Sequence, residues 1–274
     1  MDKIRMTCGT LIRVLDELTG KPPQQLGLRT RLRITAGEPP ADKGDGYYLF
    51  ARPLEPGAVL TVQADGWRQF ECRTESLPPA EGGIHKIYLE PDGHYPMSPE
   101  IYGICGTARP GDILLIACPE PAWQRRLAED YEAGAAQLTL QVHKEAGQEP
   151  MFRDERHTLP VRGAEPEAGA EFQIRGTEHR ELLRFSERAE GIPGRYRLKT
   201  PLSHSYRRET AALCPVRCAA ADETGKFACY WMRRKGGRER FSFEILTRGG
   251  ESLQTLELRA GVRLTGVCAA QGAL

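Results

Sequence analysis

Leu28-Arg29-Thr30-Arg31-Leu32-Arg33-Ile34 alternates without a break. Leu28, Thr30, Leu32 and Ile34 fall on one side and three arginines on the other. A period of two is the mark of a half-buried strand, because successive side chains leave opposite faces of the pleat. Ala58 to Ala64 repeats the pattern, with Leu60 and Val62 inward and Thr61 and Gln63 outward. Leu11–Leu15, Tyr47–Phe50, Trp67–Arg73 and Ile84–Leu89 are further strand candidates. Turn signals separate them: Asp16 to Gly20 followed by Pro22-Pro23, then Gly44-Asp45-Gly46, Glu55-Pro56-Gly57 and Asp65-Gly66. Short strands with a turn every 8 to 12 residues, roughly, predict a β-sandwich over the first 92 residues.

The composition agrees. The chain has 274 residues, 29 of them Gly and 20 Pro, a turn-rich make-up that favours short strands over long helices. Lys plus Arg total 38 against 37 Asp plus Glu, a formal net charge of +1. That balance argues against a general nucleic-acid binder, which needs a cationic excess or stripe. The longest apolar run is Ile113 to Cys118, far short of the roughly 20 residues of a membrane helix. Met1 to Cys8 offers no apolar core of the kind a signal peptide needs, which predicts a cytoplasmic protein with reduced thiols.

Residues 93–200 read as a β-rich middle domain. Asp112–Cys118, Gln137–Val142, Glu171–Arg175, Leu182–Ser186 and Arg195–Lys199 are strand candidates, and 148–169 reads as a polar loop. Trp123, Leu127 and Tyr131 recur every four residues after Pro121, which predicts one short amphipathic helix near 121–133. Residues 201–274 read as a C-terminal β domain, with strands at Val216–Ala220, Lys226–Arg233, Arg240–Thr247, Ser252–Arg259 and Val262–Val267. Its Asp222-Glu-Thr-Gly-Lys-Phe227 is similar to Gly44-Asp-Gly-Tyr-Tyr48, which hints at an internal repeat. The expected fold class is all-β: two or three tandem β-sandwich domains with one short helix.

Motifs for chemistry are sparse. Cys214, Cys218 and Cys229 form the densest thiol cluster, but one C-x3-C without a second close pair is not a structural zinc pattern. Small buried hydrophobes are the simpler reading of these thiols, and no metal is expected. The six histidines are dispersed; Ser203-His204-Ser205 sets hydroxyls beside an imidazole, yet no Gly-x-Ser-x-Gly elbow exists. Gly103-Ile-Cys-Gly106 lacks the third glycine of a dinucleotide fingerprint, and no phosphate loop occurs, so no cofactor is expected. Met232 to Arg240 is a cationic cluster about a Gly-Gly turn, read as a solvated hairpin tip. The interaction candidates are the Arg29, Arg31 and Arg33 row, which must be exposed or paired, and Trp67. The same arginines also fit the wet side of a sandwich that discourages edge pairing.

Gly9-Thr-Leu-Ile-Arg-Val-Leu-Asp16, Thr19-Gly-Lys-Pro-Pro23, Lys43-Gly-Asp-Gly-Tyr-Tyr-Leu-Phe50 and Leu60-Thr-Val-Gln-Ala-Asp-Gly-Trp67 resemble a carboxypeptidase regulatory-like domain. The resemblance implies a transthyretin-like seven-stranded sandwich; Gln24-Gln25-Leu26 departs from the small residues usual after the proline pair. His94-Tyr-Pro-Met-Ser-Pro99, Tyr196-Arg-Leu-Lys-Thr-Pro-Leu202 and Ala220-Ala-Asp-Glu-Thr-Gly-Lys-Phe227 are similar to accessory proteins of phage-tail-like contractile injection systems. That resemblance implies a non-enzymatic structural protein whose partners are subunits of a larger assembly. The transthyretin-fold hydrolases of 5-hydroxyisourate end in Tyr-Arg-Gly-Ser, whereas this chain ends Gln271-Gly-Ala-Leu274 and its Tyr206-Arg-Arg-Glu209 is internal. The alternative is a carbohydrate- or peptide-binding module of a cell-surface system, which calls for an exposed aromatic platform around Trp67, Tyr47 and Tyr48.

Overall fold

A computed structural model describes residues 9–23, 30–34, 39–119, 124–141, 171–188, 194–233 and 238–268. The described residues are all-β and divide into two compact units, Met1–Pro96 and Met97–Leu274. The first unit has β1 (Thr10–Asp16), β2 (Thr30–Ile34), β3 (Ala41–Gly44), β4 (Tyr47–Phe50), β5 (Val59–Ala64), β6 (Phe70–Arg73) and β7 (Ile84–Leu89). They form two sheets, β3-β4-β1-β7 and β2-β5-β6. The alternation seen in the sequence becomes burial: Ile12, Val14, Tyr48, Phe50, Ile87 and Leu89 from one sheet and Leu60, Val62 and Ala64 from the other are buried. The pair β1–β7 is parallel and β1–β4 antiparallel.

The second unit has β8 (Ile101–Thr107), β9 (Ile113–Ala117), β10 (Arg125–Arg126), β11 (Gln137–Thr139), β12 (Glu171–Arg175), β13 (Arg180–Arg188) and β14 (Arg195–Leu198), followed by β15 (Ala212–Ala220), β16 (Lys226–Met232), β17 (Arg240–Leu246), β18 (Ser252–Arg259) and β19 (Arg263–Cys268). Seven of these rebuild the first unit's plan. β16-β8-β19 matches β4-β1-β7, again with one antiparallel and one parallel neighbour about the central strand. The path β9-β17-β18 matches β2-β5-β6. Tyr102, Ile104, Phe227, Trp231 and Val267 from one sheet and Leu114, Ile116, Phe243, Ile245 and Leu256 from the other fill one core.

The match extends to single residues. The Gly46 carbonyl accepts from Val14 N at 2.9 Å, and the Gly225 carbonyl accepts from Ala108 N at 2.8 Å. Both glycines have φ of 78°, and a Cβ on them would lie 2.4 Å from the Val14 oxygen and 2.5 Å from the Ala108 oxygen, respectively. Only glycine fits such a left-handed turn against a crossing backbone. The similarity of Asp222–Phe227 to Gly44–Tyr48 therefore marks equivalent turns of a duplicated sandwich.

Between β9 and β15 the second sandwich carries an inserted lobe. Strands β11-β14-β13-β12 continue onto the first half of β15, while the second half of β15 pairs with β9. The lobe has its own core, with Leu127, Leu138, Phe172, Phe185, Tyr196 and Tyr206 among its members. A smaller apolar contact, Leu115, Ala117, Val216 and Leu246 with Leu182, seats it on the outer face of the sandwich sheet.

Two expectations are corrected. The helix near 121–133 is absent among the described residues. Arg125 and Arg126 pair with Leu213 and Ala212, Leu127 bridges Leu140, and Tyr131 bridges Tyr206; 120–123 lie outside the described residues. An isolated helix of three turns is marginal in water, and the open edge of β15 offers better hydrogen bonds. A boundary near residue 200 does not divide the structure, because β12 and β9, from the expected middle domain, both pair with β15, from the expected C-terminal domain.

Candidate interaction site

Trp67, an expected interaction residue, is only 4% exposed. It closes the Asp65-Gly66 turn after β5 and packs edge-on to Tyr95, with ring centroids 5.3 Å apart. Its indole Nε1 donates to Asp16 Oδ1 at 3.0 Å, and the Tyr95 hydroxyl donates to Asp16 Oδ2 at 2.7 Å. Asp16 itself is wholly buried at the end of β1. Its carboxylate also accepts from Leu18 N, Thr19 N and the Thr19 hydroxyl at 3.2, 3.1 and 2.5 Å, forming the turn that leads to Gly20. An isolated carboxylate could not remain here; five donors make the burial tolerable.

The aromatic platform around Trp67, Tyr47 and Tyr48 is thus not present as expected. Tyr48 is buried with Trp67, and the Tyr47 ring is half-covered by the Arg13 guanidinium, 4.7 Å from its centroid. Strand alternation explains Tyr48, which faces the core from β4. Trp67 and Tyr95 turn inward because their polar tips find Asp16.

Of the arginine row, Arg29 lies outside the described residues. Arg31 and Arg33 stand in β2, opposite Gln63 and Thr61, and their side chains also lie outside the described set. On the neighbouring strands, Gln63 Nε2 donates to Gln69 Oε1 at 2.5 Å, and Gln69 Nε2 donates to Glu71 at 3.3 Å. The face shared by Gln63 and Glu71 is polar and wet. The cationic tip at Arg234–Gly237 lies outside the described residues.

The second unit gathers polar groups that the sequence did not pair. Arg175 grips Glu244 with both terminal nitrogens, at 3.1 and 2.9 Å, and Arg180 adds a third contact at 3.4 Å. Arg175 Nε also donates to Gln173 Oε1 at 2.6 Å, and the buried Gln173 amide donates to the Gly250 carbonyl. This network joins the lobe's β12 and β13 to β17. Nearby, the His179 and His204 rings stack 4.0 Å apart and nearly parallel. Glu181 accepts from Ser203 N and His204 N, at 2.9 and 3.3 Å for the shorter contact of each. Burial first, and then the Glu181 carboxylate beside it, push the Tyr206 hydroxyl well above its ordinary range. Ser205 Oγ is spent on Glu132 at 2.7 Å, so the Ser203-His204-Ser205 run builds a corner and aligns no nucleophile.

Cys214 and Cys229 are buried packing groups, whereas Cys218 is exposed on β15, which corrects the reading of all three as buried hydrophobes. Burial pushes Cys214 up to about 11. Partial shielding of the thiol by its neighbours, and then a hydrogen bond to Glu171 at 3.0 Å, push Cys218 up to about 12. Among the described residues seven cysteines are free, and no three His, Cys, Asp or Glu side chains are grouped to hold a metal ion. No described helix is long and apolar enough to cross a membrane.

No family model matches the chain, and no curated protein matches it. Among solved structures it is similar to a double mutant of the shaft pilin SpaA from Lactobacillus rhamnosus GG, at 11% identity and a TM-score of 0.17. The likeness covers 77% of this chain, which spans 63% of that pilin's length.

Proposed function

We propose that the protein is a non-enzymatic structural and interaction protein, an accessory component of a cytoplasmically assembled, phage-tail-like contractile injection system. What supports this reading is how the reactive side chains are spent. Asp16 organises a turn and two aromatic residues, Glu181 caps two amides, Glu244 is held by two arginines, and Ser205 serves Glu132. A general acid, base or nucleophile needs a free proton or lone pair aimed at a substrate, and these groups have theirs committed to the scaffold. Duplicated sandwiches carry several strand edges, the means by which β-rich proteins join larger assemblies. The finer assignment rests on the similarity of Ala220–Phe227 and its companion segments to the injection-system accessory proteins.

The test is the native mass of the tagged protein from gently lysed host cells, by light scattering, with identification of what travels with it. Co-sedimentation with sheath and tube proteins in a particle of megadalton size is expected. A clean monomer with no companion would overturn the assignment.

A further inference from the structure

The stacked imidazoles of His179 and His204 take no part in the function proposed above, and they stand at a seam of the inserted lobe. His179 closes the turn between β12 and β13, where its carbonyl accepts from Gly176 N at 2.9 Å. His204 lies in the segment from Leu202 to Tyr206. That segment is fixed at its ends by Leu202 N on the Ala135 carbonyl, at 2.9 Å, and by the Tyr206–Tyr131 bridge. Three contacts clamp the turn to this segment. The two rings stack at 4.0 Å with 11° between their planes. Glu181, just past the turn on β13, accepts from Ser203 N and His204 N. Gly176 lies on the Tyr206 ring, where a Cβ would come within 3.0 Å of a ring carbon. The clamp also reaches the host sandwich. A Cβ on Gly250 would meet the Glu181 carbonyl carbon at 2.6 Å, and the Gln173 amide donates to the Gly250 carbonyl.

We propose that the His179–His204 stack is an acid-operated latch, closed while at most one ring carries a proton and opened by the second. A neutral imidazole stacks on another ring whether or not that ring is charged, but two imidazolium rings face to face at 4.0 Å repel. Histidine is the side chain that ordinarily changes charge between pH 5 and 8. The surroundings offer counter-charge for one proton, not two. Among the described residues one carboxylate lies within ion-pair distance of either ring: Glu178 Oε2, 4.0 Å from His179 Nε2. Its side chain is 83% exposed, so water screens it. Glu181 turns its oxygens to the Ser203 and His204 amides. The other charged groups of the elements packed here are spent elsewhere: Arg175 and Arg180 on Glu244, Glu132 on Ser205, and Asp130 on Arg207. A second proton therefore parts the rings, because separated rings escape the repulsion. Parting them pulls the Ser203 and His204 amides from Glu181, uncovers the Tyr206 ring and loosens the lobe's hold on Gly250.

The test is hydrogen exchange on the full chain, read at the amides of Gly176, Ser203 and His204 and corrected for the intrinsic dependence of exchange on pH. Opening takes up one proton, so protection there should fall by about tenfold or more between pH 7 and pH 5, while β8 and β16 keep theirs. Raising the salt to about 1 M, where the Debye length is about 3 Å, should shrink that fall severalfold by screening the two ring charges. His179→Phe and His204→Phe each keep ring upon ring but leave a single charge, so each should hold its protection at pH 5. Protection of β8, β12 and β16 at pH 7 verifies that a variant is folded; if neither variant is, the salt comparison on the natural chain decides. An acid loss as large in both variants as in the natural chain would assign the response to the carboxylates and overturn the proposal. So would unchanged protection of the natural chain at pH 5, or a loss indifferent to salt. Native mass is read separately, so the latch can fail while the assembly assignment stands, and the reverse.

Discussion

Replacing Asp16 by Ala should uncouple the first sandwich from its own stability while leaving the second intact. The side chain is wholly buried and accepts five hydrogen bonds, two of them from the buried Trp67 indole and Tyr95 hydroxyl. Each buried donor left without an acceptor costs about 1–3 kcal/mol, so these two alone cost about 4 kcal/mol. The turn amides at Leu18, buried, and Thr19, part-buried, lose their acceptor too and add to this loss. Asp16→Asn keeps one carbonyl oxygen for Trp67 and turns an amide toward Thr19 and Tyr95, so about half the loss is expected. Against the roughly 5–15 kcal/mol that holds a domain folded, the Ala change is severe. Hydrogen exchange resolved by peptide reads each unit separately. Exchange in β1, β5 and β7 should accelerate about a thousandfold, at tenfold per 1.4 kcal/mol, while β8 and β16 stay unchanged. Acceleration of less than about tenfold in β1 and β7 would refute the claim that this carboxylate organises the unit.

Glu244→Gln should cost about 3 kcal/mol by stranding the partly buried Arg175 charge, whereas Met at both positions should cost far less; chemical denaturation of the three proteins decides it. Folded Cys214 and Cys218 hold their protons above the ordinary value of 9.0. The unfolded chain releases those protons first as pH rises, so stability should fall progressively from about pH 9 upward. Thermal melts at pH 8, 9 and 10 should show this decline, flattened in Cys214→Ala/Cys218→Ser. Gly46→Ala and Gly225→Ala should each cost about 2 kcal/mol or more, because both turns combine positive φ with a backbone oxygen in the place of the new methyl. Exchange should speed up in the first unit for one variant and in the second for the other, with no crossover.

The sequence was most legible where the backbone imposes the pattern. Alternation located β2 and β5, and glycine-bearing turns located the β3–β4 and β15–β16 connections, because side-chain period and positive φ are local properties. The short similarity between Asp222–Phe227 and Gly44–Tyr48 marked a real duplication, since both segments meet the same constraint from a crossing strand. The segment around Leu127 misled because a four-residue spacing suits a helix face while the decisive partner, β15, lies some 85 positions away. Trp67 misled for a related reason: its exposure depends on Asp16 and Tyr95, which no spacing rule joins to it. The inserted lobe was hidden altogether. Its strands look like those of a separate domain until β15 is seen to serve both sheets.

That shared strand has a kinetic consequence. In the first sandwich little chain separates β2 from β3, but in the second everything from Cys118 to Ala211 intervenes between β9 and β15. Closing so long a loop from a disordered chain costs about 2 kcal/mol more than closing the short one, by logarithmic loop scaling. A lobe that forms first removes this penalty, because its own sheet ends on the leading half of β15 and delivers the trailing half to β9. The expected order of folding in the second unit is therefore inside-out, with the insertion forming before the host sandwich closes around it; pulsed hydrogen exchange that protects β9 before β12 and β13 would overturn this. The first unit, free of that dependence, should refold faster than the second.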